Sequence, residues 1–146
     1  MSETVNTMKD QIRELIECLA KLSEQIDPTD LGELAAALVE SATIVIGTPT
    51  LLFGPHPLVA NAAFITNLIR PKAKYATVIG SYGWGGKTVE ALKGMLNHLS
   101  AEIIDPVYVK GAPDSACLRE LEAFADRIAA KHREAGLLND SPPPLP

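Results

Sequence analysis

The sequence predicts an α/β domain in which helices pack on both faces of a parallel sheet. Two β-branched runs, Ala42–Gly47 and Tyr75–Gly80, lack the polar alternation of a half-exposed strand, so each is typical of a strand buried on both faces. Each run leads through a loop rich in Gly, Pro or hydroxyl residues into a helical pattern. Strands alternating with helices at short spacing form βαβ units, so we expect a three-layer α/β sandwich.

Length and composition indicate a single domain. The chain has 146 residues, of which 47% are hydrophobic and 21% charged, which is enough apolar surface for one core and excludes general disorder. We assign residues 1–139 to this domain, with 1–29 as an atypical N-terminal helix and linker. Residues 140–146 are predicted to be a disordered, Pro-rich tail.

Charge and cysteine usage exclude several classes of protein. The net charge of −5 has the wrong sign for binding phosphate backbones, so nucleic acid is not an expected partner. The stretches of apolar residues are too short to span a membrane, and the polar first residues do not resemble a signal peptide. Cys18 and Cys117 stand apart without a CxxC or a His/Cys cluster, so we expect a cytoplasmic protein with neither disulfide nor metal site.

The helices follow from apolar spacing and from residues typical of helix starts. An amphipathic helix is predicted over Val5–Leu22, and Asp30 stands where an N-cap would begin a short helix over Leu31–Val39. Pro57 is well placed as the first residue of the next helix. The predicted helices after it are Leu58–Ile69, Lys87–Leu99 and Ser115–Lys131.

Three strands complete the predicted order of elements. They are Ala42–Gly47, Tyr75–Gly80 and, third, about Glu102–Val109. In a parallel sheet ligands bind where the carboxyl ends of strands lead into loops. The loops of unusual composition at those ends are Thr48–Pro57 and Ser81–Gly86, and there we look for function.

The second of these loops places two aromatic residues among glycines. Tyr82 and Trp84, the latter the sole tryptophan of the chain, stand beside Gly83, Gly85 and Gly86 directly after a buried strand. Glycines allow close backbone approach and positive φ, so an aromatic ring beside free N–H groups suits a planar heterocycle. The alternative is a tight strand-to-helix turn with Trp84 folded back on the domain.

The first loop offers hydroxyls and then apolar side chains. Thr48, Pro49 and Thr50 combine two hydroxyls with a rigid turn, and hydroxyls and main-chain amides can bind the edge of a ring. Leu51, Leu52 and Phe53 follow. The alternative is a Pro-stiffened turn whose apolar residues pack on the next helix.

A phosphate site of the P-loop type is a rival interpretation. Gly86, Lys87 and Thr88 match the end of G-x-x-x-x-G-K-[ST], in which Lys reaches the phosphates and the hydroxyl binds magnesium. Ser81 occupies the position of the first glycine, and Tyr82 and Trp84 would crowd the amides. The match is therefore incomplete.

Taken together, the TPT and SYGWGG loops at the ends of consecutive strands resemble the flavodoxin-like domain of the A-type flavoproteins, the flavodiiron family of oxygen and nitric oxide reductases. The resemblance extends from about Asp30 to Gly136. It implies FMN bound at the carboxyl end of a parallel sheet of strand order 2-1-3-4-5. The residues it would place on the two sides of the isoalloxazine ring are Thr48, Pro49, Thr50, Leu51, Leu52, Phe53 and Gly54 on one side, and Ser81, Tyr82, Gly83, Trp84, Gly85 and Gly86 on the other.

The chain departs from the family in two respects. His56, His98 and His132 are scattered, so no diiron ligand set is expected and no metal-binding residue is assigned. The family's first strand and most of its second have no equivalent, which predicts an N-terminally truncated domain of about three strands. At the N-terminus, Ser2, Thr4, Asn6 and Thr7 are similar to the family's phosphate-binding loop, with Val5 in place of its glycine.

These observations lead to two functional hypotheses. The first is an FMN-binding electron-transfer domain, a carrier or oxidoreductase subunit rather than a self-sufficient enzyme, which works with a redox partner protein or a diiron subunit. The alternative is a degenerate flavodoxin-like interaction module that no longer binds FMN. Under either hypothesis the run Thr43–Gly47 lacks one neighbouring strand, so we expect a second copy or a partner to complete the sheet there.

Overall fold

The computed structural model describes residues 31–137, which form four helices and five strand segments. In chain order these are α1 Leu31–Glu40, β1 Thr43–Leu51, β2 Gly54–Pro55, α2 Pro57–Ile69, β3 Tyr75–Tyr82, α3 Thr88–Met95, β4 Glu102–Ile103, β5 Val107–Lys110 and α4 Ser115–Glu134. The predictions for the helix Val5–Leu22, the N-cap Asp30, the loop Ser2–Thr7 and the tail lie outside the described residues.

The sheet is parallel except at one end. β1 and β3 pair in parallel from Thr43 opposite Tyr75 to Pro49 opposite Ser81. β4 and β5 both pair in parallel with β3, and the short β2 runs antiparallel to the end of β1. The α/β fold class with a mostly parallel sheet is confirmed.

The strand segments number five rather than about three, for two local reasons. β1 continues beyond Gly47 to Leu51 and turns back as β2, so the Thr48–Pro57 segment is partly strand rather than all loop. The single strand predicted over Glu102–Val109 is divided into β4 and β5. Asp105 and Pro106 lie between them, and Pro106 has no N–H to donate to the ladder.

One predicted helix is shorter in the structure. The helix predicted over Lys87–Leu99 occupies Thr88–Met95, and the N–H of Leu96 closes it on the carbonyl of Leu92. Beyond that point the N–H of His98 donates to Asn67 Oδ1 at 2.8 Å, which diverts the chain from the helix.

Helices cover both faces of the sheet, as predicted from strands in which polar and apolar residues do not alternate. Side chains of alternating residues on β3 point to opposite layers. One face packs against α1, α2 and α3 through two clusters of buried residues. The first cluster consists of Leu38, Ile44, Ala73 and Ala76, and the second of Ala63, Val78, Leu92 and Leu96. The other face packs against α4 through Tyr75, Ile104, Val107, Phe124 and Ile128.

Local sequence signals fix the starts of two helices. Pro57 is the first residue of α2, and the ring of His56 accepts a hydrogen bond from the N–H of Leu58. Asp114 caps α4, because its carboxylate accepts a hydrogen bond from the N–H of Cys117 at 2.9 Å. Within residues 31–137, no helix has the length and apolar character that crossing a bilayer requires.

One edge of β1 is open. β3 pairs with one side of Thr43–Pro49, whereas on the other side β2 pairs only with Thr50 and Leu51. Among the described residues, no strand covers the outer edge from Thr43 to Pro49.

Candidate functional site

The two segments predicted to form the site lie side by side. Because the β1 and β3 ladder runs to Pro49 opposite Ser81, the TPT and SYGWGG segments leave the sheet at the same edge. Thr48, Pro49, Thr50 and Leu51 belong to β1, and Ser81 and Tyr82 belong to β3. The sheet therefore holds half of the predicted residues, and tight turns hold the rest.

The turn after β1 carries two exposed apolar side chains on an unusual backbone. Leu52 and Phe53 both have positive φ, at 46° and 67°. Two-residue hairpins with this geometry favour Asn-Gly, so Leu and Phe are unexpected there and the turn is strained. Leu52 is 99% exposed and Phe53 is 66% exposed. The turn thus presents apolar side chains to solvent instead of packing them on the next helix.

The Gly-rich turn after β3 touches this hairpin. The N–H of Lys87 donates to the carbonyl of Phe53 at 3.0 Å. Gly86 has φ +154°, and a Cβ on it would lie 2.7 Å from the Thr50 methyl carbon and 3.2 Å from the Phe53 oxygen. Only glycine allows the two turns to approach this closely.

Trp84 stands at the outer end of the Gly-rich turn. Its side chain is 91% exposed, so it is not folded back on the domain. Trp84, Leu52 and Phe53 are thus three large apolar side chains that the two turns expose to solvent. A flat aromatic ligand stacked on the indole would bury it.

Below the turns, four residues from two strands and one helix share hydroxyl hydrogen bonds. Thr50 Oγ1 lies 2.9 Å from Thr88 Oγ1 and 2.7 Å from the Tyr108 hydroxyl. Tyr108 donates to the carbonyl of Thr48 at 3.1 Å. The Thr48 hydroxyl accepts the N–H of His56 at 3.1 Å, which ties the far end of the hairpin to β1.

Tyr108 was missed by the sequence analysis, and Gly80 explains how it reaches the site. Gly80 lies between Thr48 and Tyr108 in the sheet. A Cβ at position 80 would lie 1.9 Å from the Thr48 oxygen and 2.5 Å from Tyr108 Cε2. The Tyr108 ring also stacks on Tyr82, with 6.0 Å between centroids and 3° between planes. Gly80, Thr48 and Tyr108 are distant in sequence, and only the pairing register of the three strands shows that they are neighbours.

The geometry argues against a P-loop. Thr88, which would bind magnesium, is 1% exposed and its hydroxyl is engaged with Thr50. Lys87 precedes the first turn of α3, and its N–H is already bonded to Phe53. The hydroxyl and the amide that a phosphate would need are therefore taken by the protein itself.

Residues 31–137 contain no group of three His, Cys, Asp or Glu side chains placed to hold a metal ion. His132 lies at the opposite end of β1, hydrogen-bonded to Thr43, and burial lowers its pKa. An open depression of about 350 Å³ lies beside the site rather than between the turns, and Tyr108, Val109, Lys110, Ala112, Asp114, Ala116, Cys117 and Glu120 line it.

The residues present fit the ring of a flavin. The exposed indole of Trp84 and the phenyl ring of Phe53 stand on the two facing turns, and close backbone contact at Gly86 fixes the turns relative to one another. Aromatic side chains beside main-chain amides and hydroxyls suit a planar heterocycle with polar edges. The segment predicted to hold the phosphate, Ser2–Thr7, lies outside the described residues.

Comparison with known proteins agrees with this architecture. No family model matches the chain. It is 26% identical over 135 residues to the anaerobic nitric oxide reductase flavorubredoxin of Vibrio vulnificus, covering 85% of this chain and 27% of that protein. It is 28% identical over 99 residues to the rubredoxin-oxygen oxidoreductase of Megalodesulfovibrio gigas, covering 67% and 25%. With a putative diflavin flavoprotein of Nostoc it shares 32% identity over 107 residues, covering 73% and 19%. The chain thus spans about a quarter or less of these relatives.

Solved structures show the same fold. A flavodiiron core from Synechocystis superposes with a TM-score of 0.65 at 26% identity, covering 71% of this chain and 26% of that one. A flavodoxin from the domain Archaea gives a TM-score of 0.60 at 22% identity, covering 68% and 71%. The chain therefore carries a flavodoxin-like domain that is homologous to the corresponding region of the flavodiiron, or A-type, flavoproteins.

Proposed function

We propose that this domain binds FMN against its two turns and transfers electrons, as a carrier or as the flavin-bearing subunit of an oxidoreductase. The observation that carries the proposal is the contact between the Phe53 hairpin and Gly86, which sets exposed Trp84 and Phe53 around the common carboxyl edge of β1 and β3. The homologous proteins include nitric oxide and oxygen reductases by name, which supports a redox role.

The flavin would supply the electron chemistry, and the chain's residues would bind and orient the ring. Trp84 and Phe53 would cover its apolar surface and exclude water from it. Backbone groups of the TPT and SYGWGG segments would hydrogen-bond its polar edge, with Ser81 on one strand end and Pro49 opposite it on the other. In this dry environment, such dipoles would set the relative stability of the flavin's redox states.

Electrons must come from and go to another protein group. Residues 31–137 hold no cluster of His, Cys, Asp or Glu side chains that could bind a metal ion. We therefore propose a redox partner protein or a separate diiron subunit that docks at the exposed Leu52, Phe53 and Trp84. The alternative is an interaction module without FMN. The same exposed apolar side chains support it, because a partner protein could cover them in place of a flavin.

A titration of the purified full chain with FMN tests the proposal. We expect saturable binding, and Trp84→Ala should weaken it by roughly 1–3 kcal/mol because the ring loses its aromatic cover. Phe64→Ala is the matched control, since Phe64 is an exposed aromatic on α2, outside the two turns. Binding that is undetectable in the parent chain would favour the interaction module, and equal affinities of Trp84→Ala and the parent would remove Trp84 from the site.

A comparison of riboflavin with FMN separates the contribution of the ring to the binding affinity from that of the phosphate. If Ser2, Thr4, Asn6 and Thr7 hold the phosphate, FMN should bind much more tightly than riboflavin, because a helix N-terminus and hydroxyls act on the phosphorylated ligand alone. Equal affinities of the two ligands would show that the ring alone is bound.

A further inference from the structure

We propose that Tyr108 is the positioning residue of this site, and that it sets the spacing of the two turns through a directed chain of hydroxyl hydrogen bonds. The inference rests on the proposed flavin function and adds to it a residue outside both turns. Tyr108 lies on β5, which belongs to neither of the segments assigned to the ring.

The direction of the chain follows from counting protons. Each hydroxyl has one proton to donate, and Tyr108 donates its own to the carbonyl of Thr48. In its 2.7 Å contact with Thr50, Tyr108 must therefore accept, so Thr50 is the donor. Thr50 has then used its proton and accepts from Thr88 at 2.9 Å. The chain runs in one direction, from Thr88 through Thr50 and Tyr108 to the Thr48 carbonyl.

This chain joins the parts of the site that must not move relative to one another. Thr88 begins α3 and ends the Gly-rich segment, whereas Thr48 and Thr50 belong to β1 just before the hairpin. Thr50 also packs its methyl group against Gly86. Loss of the Tyr108 hydroxyl would leave the Thr50 proton without its acceptor, so the hydrogen bond from Thr88 alone would hold the Thr50 hydroxyl in place.

The Tyr108 ring itself is held independently of the hydroxyl. It crosses the space left by the missing Cβ of Gly80 and stacks on Tyr82. Tyr108→Phe should therefore keep the ring in place and remove only the hydrogen bonds. That makes the substitution a specific probe of the chain rather than of the core.

Tyr75→Phe is a closely matched control. The Tyr75 hydroxyl also donates to a backbone carbonyl at 3.1 Å, that of Lys131, but at the opposite end of β3. Both variants lose one phenolic hydroxyl bonded to a carbonyl, so a general loss of stability should be similar in the two. A loss of FMN affinity seen in Tyr108→Phe and not in Tyr75→Phe would therefore come from a change at the site.

The experiment measures FMN affinity and amide exchange in the full chain. We expect Tyr108→Phe to weaken FMN binding about tenfold, since the variant loses both hydrogen bonds of the hydroxyl and leaves the Thr50 proton without its acceptor. Tyr75→Phe should stay within about twofold of the parent. Thr88→Val should weaken binding as well, and the double variant should lose little more than the worse single one, because both act through Thr50. Additive losses, or an unchanged affinity in Tyr108→Phe, would overturn the proposal.

Exchange of the Lys87 amide, which bonds to the Phe53 carbonyl, gives a readout without flavin. It should accelerate in Tyr108→Phe and in Thr88→Val and stay unchanged in Tyr75→Phe. If the parent binds no FMN but Lys87 responds in this way, the proposed function fails and the positioning role stands. If Lys87 exchanges at the same rate in Tyr108→Phe and the parent, the positioning role is refuted.

Discussion

Thr77 is a buried side chain whose hydroxyl is unpaired. It lies in the middle of β3 at 1% exposure, and its Oγ1 has no hydrogen-bond partner within residues 31–137. Val has the same shape without the polar atom, so Thr77→Val should raise the free energy of unfolding by about 1 kcal/mol. Denaturant titration measures the change. Thr66→Val is the control, since its buried hydroxyl is bonded to the Ala62 carbonyl and its removal should bring no gain. A less stable Thr77→Val protein would show that the hydroxyl has a partner.

His132 links a helix to a strand and makes that link sensitive to pH. Its ring on α4 is hydrogen-bonded to the Thr43 hydroxyl at the start of β1 and stacks on Tyr75, 5.9 Å between centroids. Burial lowers the pKa of His132 from its usual 6.5, so the unfolded chain takes up this proton more readily than the folded one. Stability should therefore be at its full value above about pH 6.5 and fall as the pH drops towards the lowered value.

Denaturant midpoints between pH 8 and pH 5 measure this effect. His132→Asn should flatten the part of the profile below about pH 6.5, because the variant has no imidazole to protonate. A parent and variant with parallel profiles would show that His132 does not contribute to the pH dependence.

The elements also show how far sequence reasoning reaches. The runs around Ile44 and Val78, in which polar and apolar residues do not alternate, predict strands covered on both faces. The structure confirms them, because clusters of apolar side chains pack on both sides of the sheet. α2 begins at Pro57, and α4 begins directly after Asp114, whose carboxylate caps it. The division of the last strand was not predicted, although Pro106 lies within it and has no N–H to donate to the ladder.

The sequence predicts that the two turns of the candidate site are adjacent, but it predicts neither the hairpin backbone nor the role of Tyr108. The two turns are adjacent because they follow neighbouring strands, which motif and topology together predict. The Leu52–Phe53 hairpin could not be predicted, since neither residue favours positive φ and contacts elsewhere impose it. Tyr108 was missed because its partners Thr48 and Thr50 are distant in sequence, and they meet only through the strand register.

The open edge of β1 is the feature of the domain as a whole that most affects its association. From Thr43 to Pro49 no described strand pairs with its outer side, and an unpaired ladder next to apolar side chains favours pairing with another chain. We expect self-association, or a partner that supplies a strand. Sedimentation of the full chain at micromolar concentration measures it, and amide exchange at Ile44–Ile46 locates it. A monomer whose Ile44–Ile46 amides exchange quickly would contradict the expectation.

The close approach at Gly80 has a consequence for evolution. Positions 80 and 108 share one volume, because the tyrosine ring occupies the space that a side chain at 80 would fill. The carbonyl oxygen of Thr48 would also overlap a Cβ at position 80, and that oxygen belongs to the backbone of the neighbouring strand. Loss of the tyrosine would therefore not release the constraint on the glycine, and descendants of this domain should keep glycine at position 80 even where they replace Tyr108.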